Sequence, residues 1–273
     1  MKYSDEFKAL VNYMLDGYIG HGNPNAKILF LGQEPAIDRE ANIEQYKNEI
    51  AGNAGQWRNI VSNGIGYESV DSSIIEFGSL LHPWANQKFQ VRSGSEEAGN
   101  LKGTEGTART WYNYQKLINK IFELYLKDRK TMTKEDHLDF HRLSFHTDMS
   151  DAAYKSHTES VDGKQSVVER VSILSSDFFR NFPIVIAAVG HFPRETYVDE
   201  YFGAIFNVEF LGNEETGLYK WMNVSVRNEV SNPMLLIHTP QFSSSISGRY
   251  LDQIAKRVVD FAKEHNINLM PEE

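Results

Sequence analysis

An α/β fold, doubly wound and in one domain, is what the sequence predicts, and three observations lead to it. Short apolar runs of strand length at 27–31, 184–189 and 234–237 alternate with segments whose apolar residues recur at helical spacing. These runs end at Gly32, Gly190 and His238, each followed by polar residues. No repeat and no Pro-rich or low-complexity linker divides the 273 residues, a length that buries one sizeable core.

The elements follow in order. Ser4 caps a first helix with Asp5 and Glu6 in its first turn, where they suit the dipole. Phe7, Leu10, Val11, Met14, Leu15 and Tyr18 give its apolar face, and Gly20 lies near its end. A strand over 27–31 and a polar helix over 38–50 come next. Residues 52–108 are rich in Gly, Ser, Asn and charge, with apolar patches only at Ile74-Ile75 and Leu80-Leu81, which predicts a long loop or lid. Thr110 reads as the N-cap of a helix whose stripe is Trp111, Tyr114, Leu117, Ile118, Ile121, Phe122 and Tyr125, a core-packing face. Then follow a strand at 140–145, a polar loop over 146–164, a helix over 166–179 and a strand at 184–189. Segments 206–210 and 221–226 form an antiparallel pair about Gly212-Asn213-Glu214-Glu215. The last strand, 234–237, runs into His238 and a final helix over 249–263.

Composition removes whole classes of chemistry. The chain has no cysteine, so disulfides, thiolate catalysis, cysteine-ligated zinc and iron–sulfur clusters are excluded. His137, His141 and His146 stand four and five apart but without an acidic partner at ligand spacing, so no metal and no cofactor is expected. A net charge of −9 argues against tight non-specific binding to a polyanion, while leaving room for local basic strips at 102–120 and 238–257, which solvated helix faces explain equally well. No run approaches the roughly 20 apolar residues of a membrane span, and the amino terminus lacks the apolar core of a signal peptide. A cytoplasmic protein with no membrane partner is expected; the oligomeric state is open. The G-x-S-x-G elbow, the P-loop and a strand-borne G-x-G-x-x-G are missing.

Parallel strands discharge their loops along one sheet edge, where ligands of α/β proteins bind. Four polar clusters fall there: Gly32-Gln33-Glu34-Pro35-Ala36, His146-Thr147-Asp148, Gly190-His191, and His238-Thr239-Pro240-Gln241-Phe242-Ser243-Ser244-Ser245. Glu34 sits on a turn stiffened by Pro35. The Ser-rich turn before Arg249 is either an anion site at a helix amino terminus or simple capping by Ser245 or Ser247.

The order of these pieces resembles the uracil-DNA glycosylase superfamily. Its first motif, G-Q-D-P-Y-H, is similar to Gly32-Gln33-Glu34-Pro35-Ala36-Ile37. Its L-L-L-N-T-V-L-T is similar to 143–150, its strand ending in W-G to 184–190, and its H-P-S-P-L-S to 238–243. The resemblance implies a three-layer α/β/α sandwich around a mainly parallel four-stranded sheet. It spans roughly residues 27–257 in order and implies one such domain over 1–273, with a loop or lid insertion at about 52–108. It implies hydrolysis of the N-glycosidic bond of a modified base, uracil or a related damaged base, flipped out of DNA. Glu34 would hold the attacking water and His238 would bond the departing base. Gln33, Ala36, Phe77 and His146 would line the base pocket. Gln241, Phe242, Ser243, Ser244, Ser245 and Arg249 would contact DNA, with Phe242 as the wedge. Glu34 replaces the family's Asp, Ala36 the Tyr that closes the pocket and His146 the Asn that reads uracil, which opens the base identity. An enzyme of the same fold acting on a small nucleoside or nucleotide, and a non-catalytic nucleic-acid-binding descendant, are the competing expectations.

Overall fold

The computed structural model describes residues 1–35, 42–66, 79–83, 109–127, 138–152, 161–191, 198–218 and 220–271. The class is α/β. Its centre is a seven-stranded mixed sheet in the spatial order β1 (His21–Gly22), β3 (Phe145–Asp148), β2 (Ile28–Gly32), β4 (Ile184–Ala187), β7 (Met234–His238), β6 (Met222–Arg227) and β5 (Glu209–Glu214). The chain runs parallel in β3, β2, β4 and β7. β1 adds antiparallel to β3, and β6 and β5 extend the other side antiparallel. The sheet is therefore larger than the four strands expected. β1 is too short to carry a periodic signal, and the antiparallel pair continues the main sheet beyond β7.

Helices lie on both faces. Leu29, Leu31, Phe145, Val185, Ala187 and Leu236 face one core with residues of α1 (Asp5–Tyr13), α3 (Asn53–Ser62), α5 (Val161–Leu174), α6 (Asp177–Arg180) and α7 (Val198–Phe206). Ile28, Phe30, Ile184, Ile186, Leu235 and Ile237 face the other, beneath α4 (Arg109–Leu126) and α8 (Gly248–Glu264). Strands covered on both sides need no polar face, which is why they read as unbroken apolar runs.

Several elements differ from expectation. Ser4 caps α1 by accepting from the Phe7 N–H at 3.1 Å, but the helix stops at Tyr13. Of the polar helix expected over 38–50, the described part is α2 (Ile43–Tyr46), followed by a π turn over Lys47–Ala51. The region 52–108 is not wholly a loop, because α3 buries Asn53, Ala54, Trp57 and Ile60; residues 67–78 and 84–108 lie outside the described residues. Thr110 lies inside α4 and not before it. The segment expected as a strand at 140–145 begins as a 3₁₀ turn, Phe140–Arg142, because the buried Gln115 amide oxygen accepts from the Asp139 and Phe140 N–H groups at 2.7 and 2.8 Å. Ser175-Ser176 breaks the helix expected over 166–179 into α5 and α6. Gly212-Asn213 falls within β5, where the register slips between Phe210 and Gly212 in a bulge, so the hairpin turns later in the chain. No helix among the described residues is long and apolar enough to cross a membrane.

Candidate functional site

The four parallel strands end side by side, and their exit loops are hydrogen-bonded together. Met149 and Ser150 donate from their backbone N–H groups to Gly32 and Gln33, Ala188 to Leu31, Thr239 to Ala187, and Gly190 to Thr239, all at 2.9 Å. β3 and β4 flank β2 on opposite sides, so the chain reverses its direction across the sheet here, the kind of crevice where ligands sit in open α/β sheets. The Gln33 side chain spans it, its amide N–H donating to the Val189 carbonyl at 2.8 Å. Its amide oxygen is buried with no hydrogen-bond partner among the described residues. Glu34 follows, half-buried. Ala36 and Phe77 lie outside the described residues.

The densest polar cluster is on the β3 side. Strand alternation aims His146 and Asp148 toward α4, and in the register Asp148 stands beside Gly32. A Cβ at position 32 would collide with the Asp148 carboxyl, so any side chain there must push Asp148 aside. Asp148 Oδ1 lies 3.5 Å from His146 Nε2, and the Tyr18 hydroxyl is 3.3 Å from Oδ2. The His146 ring is enclosed by His21 at 4.6 Å, Trp111 at 5.1 Å and Tyr114 at 5.7 Å between centroids. Its Nδ1 is buried and has no hydrogen-bond partner among the described residues.

These partners are placed by polar clamps. The Asn53 amide oxygen accepts from the Ile19 N–H at 2.9 Å, its nitrogen donates to Gly20 O at 3.0 Å, and Trp57 Nε1 donates to the same carbonyl at 2.8 Å. That fixes the segment leading to His21. The buried Arg170 guanidinium donates to the backbone oxygens of Asp148 and Tyr18 and to Thr147 Oγ1, and lies 5.1 Å from the Tyr18 ring centre. Position 18 is thereby tied to β3.

Burial governs the charges. It pushes the Asp148 carboxyl up to about 7, opposed by Arg170 and the Tyr18 hydroxyl, with the charge of Glu34 adding to the rise. Burial, then the neighbouring His21, holds the His146 imidazole well below its usual range. Burial alone lowers His21 to about 3. The charge of Glu34 is thus felt at a buried carboxyl whose pKa is raised to about 7, an arrangement suited to acid–base work.

The β7 side differs from expectation. His238 lies on the opposite face of the sheet from His146, packed against Phe202 and Trp221. Its Nε2–H donates to the Gly190 carbonyl at 2.6 Å, and Asn223 Nδ2 stands 3.5 Å from Nδ1. The imidazole N–H needed by a departing base is therefore already engaged. Phe242 is not an exposed wedge. It is 1% exposed against Tyr114, and its carbonyl accepts from Asn113 at 2.7 Å, because the turn at 241–244 folds it inward under α4. Gln241 O accepts from the Ser244 N–H and hydroxyl at 3.1 and 2.6 Å, which closes that turn. Ser247, and not Ser245, caps α8 by accepting from the Tyr250 N–H at 3.2 Å. Ser243, Ser245 and Arg249 remain exposed.

Tyr18, His21 and Trp111 were not anticipated at the site, and Asp148 had no role assigned. The tripeptide Gly20-His21-Gly22, a His between two glycines, was the one available sign of a close backbone approach. Comparison with known proteins finds no matching family model and no curated relative.

Proposed function

We propose that the chain is a DNA glycosylase-like hydrolase that cleaves the N-glycosidic bond of a modified base, with a mainly parallel sheet of the uracil-DNA glycosylase kind at its centre. The observation that carries this reading is the place of Glu34. It stands on the exit of β2 at the switch point, half-buried, next to a buried imidazole–carboxyl pair. Departure of a base leaves positive charge on the sugar and negative charge on the base. An ionised carboxylate stabilises the first and orients the attacking water, while a buried proton donor stabilises the second. Exposed Ser243, Ser245 and Arg249 beside α8 offer contacts to a phosphate backbone.

The test is abasic-site formation on oligonucleotides carrying uracil, hypoxanthine, xanthine and oxidised pyrimidines, with Glu34→Gln alongside. Cleavage of at least one substrate, reduced about 10²–10⁴-fold in the variant, is expected. Absence of cleavage by the folded protein on the whole panel removes the reading. A second reading, hydrolysis of a free nucleoside or nucleotide, is favoured by one observation: the net charge of −9 disfavours a polyanion. Stabilisation by nucleosides but not by oligonucleotides in thermal-shift measurements would select it.

A further inference from the structure

We propose that His146 and Asp148 act as a proton-carrying pair for the departing base, with His146 Nδ1–H donating to the base and Asp148 resupplying the proton at Nε2. The inference rests on the glycosylase reading and deepens it by giving the leaving-group role to a residue other than His238.

Three observations carry it. Asp148 Oδ1 faces His146 Nε2 at 3.5 Å, while Tyr18 stands at donor distance from the other oxygen. His146 Nδ1 is buried and without a hydrogen-bond partner among the described residues, a costly state that a bound ligand relieves. The ring is walled by His21, Trp111 and Tyr114, and of these three Trp111 is half-buried, so a flat base would approach Nδ1 past Trp111 and stack among these rings. His238, by contrast, spends its Nε2–H on Gly190 O and points to the other face.

The proton count is consistent. Burial raises Asp148 to about 7 and lowers His146, so the single proton of the pair resides on Asp148. Its O–H then donates to Nε2, which leaves the imidazole neutral with its hydrogen on Nδ1. The titratable and charged groups around the pair are Tyr18 before β1, His21 of β1, Tyr114 of α4, Glu34 beyond β2, Arg170 of α5 and His141 of the 3₁₀ turn. In the reaction the C1′–N bond breaks and its electron pair goes to the base. The base takes the Nδ1 proton, and Nε2 takes the Asp148 proton. Water bonds to C1′ and gives its proton to Glu34. To close the cycle Nε2 returns its proton to Asp148, Nδ1 takes a proton from solvent and Glu34 gives one up to solvent, so the net change is addition of water across the bond.

The experiment is single-turnover cleavage from pH 5.5 to 9 with wild type, His146→Asn, His146→Ala, Asp148→Asn and Glu34→Gln, each checked for folding by thermal melting. Alongside it, ¹⁵N spectra of the histidine rings in the wild-type protein report the tautomer. The wild-type rate is expected to fall about tenfold per pH unit above about 7, as the pair loses its proton. Asp148→Asn keeps a donor to Nε2 but has no proton to give, so it should be slower and flat with pH. His146→Asn keeps a hydrogen-bond donor but has no proton to transfer, so it should cleave more slowly than wild type with a flat profile, whereas His146→Ala, with no donor at all, should lose about 100-fold. The ¹⁵N spectra should show His146 with its hydrogen on Nδ1. An Nε2–H tautomer, a wild-type pH profile in Asp148→Asn, or His146→Ala cleaving within threefold of wild type while Glu34→Gln is dead would overturn the pair and leave the glycosylase reading standing. No cleavage of any substrate by folded wild type would overturn both.

Discussion

Glycine at position 32 exists for the sake of its neighbour. Any side chain there would occupy the space of the Asp148 carboxyl, which is pinned between His146 and Tyr18. Gly32→Ala is expected to destabilise the fold by about 1–3 kcal/mol, as overpacking does, and to reduce cleavage because Asp148 must yield. Urea unfolding and the cleavage assay read the two effects; an alanine variant with unchanged stability and rate would show that Asp148 is free to move. At this scale the sequence was informative where a residue followed a strand and opaque where it arrived from elsewhere. Gln33, Glu34 and His146 stood out because they sit on apolar runs. Tyr18, His21 and Trp111 reach the site from elements whose positions only tertiary packing decides.

Among the elements, α3 holds the site together without contributing a reacting group. Asn53 satisfies the backbone around Ile19 and Gly20, and Trp57 shares the Gly20 carbonyl. Asn53→Ala takes the acceptor from the Ile19 and Gly20 N–H groups, while Trp57 still bonds the Gly20 carbonyl, at a cost of about 1–3 kcal/mol for each group left unsatisfied. The expected outcome is a lower urea midpoint together with altered His21 ring signals in NMR spectra; a lower midpoint with unshifted His21 signals would confine the clamp to stability. The strands were legible in the sequence because burial on both faces gives a continuous apolar signature. α3 was not, since its interior positions include a polar residue, Asn53, which binds backbone. The start of β3 was misplaced for a related reason. Phe140 and its neighbours have strand-like composition, yet Gln115 supplies the acceptor that a strand partner would have supplied.

For the molecule as a whole, buried imidazoles set the response to acid. His21 is lowered to about 3 and His82 to about 4 by burial, and His141 and His146 lie well below the usual range for the same cause. Unfolded, all four titrate near 6.5. Below that pH the unfolded chain binds protons that the folded one refuses, so stability is lost as pH falls from 6.5 toward 4. Asp148 acts in the opposite sense, because between its unfolded value of 3.8 and about 7 the folded chain holds the extra proton. Four imidazoles outweigh one carboxyl, and at about 1.4 kcal/mol per proton per pH unit the melting temperature should drop steeply between pH 6.5 and 5. Replacing His141 by Gln should flatten the drop, and a melting temperature constant across that range would refute the argument. Shape at the rim of the sheet matters in the same conditions. β5 is one of the two edge strands of the sheet, with Phe210 and Leu211 47% and 57% exposed. The slipped register at Leu211 gives this margin an irregular profile that a second strand cannot easily match. Deleting Leu211 would straighten it into an adhesive seam, and such a protein is expected to turn cloudy at concentrations where the parent stays clear.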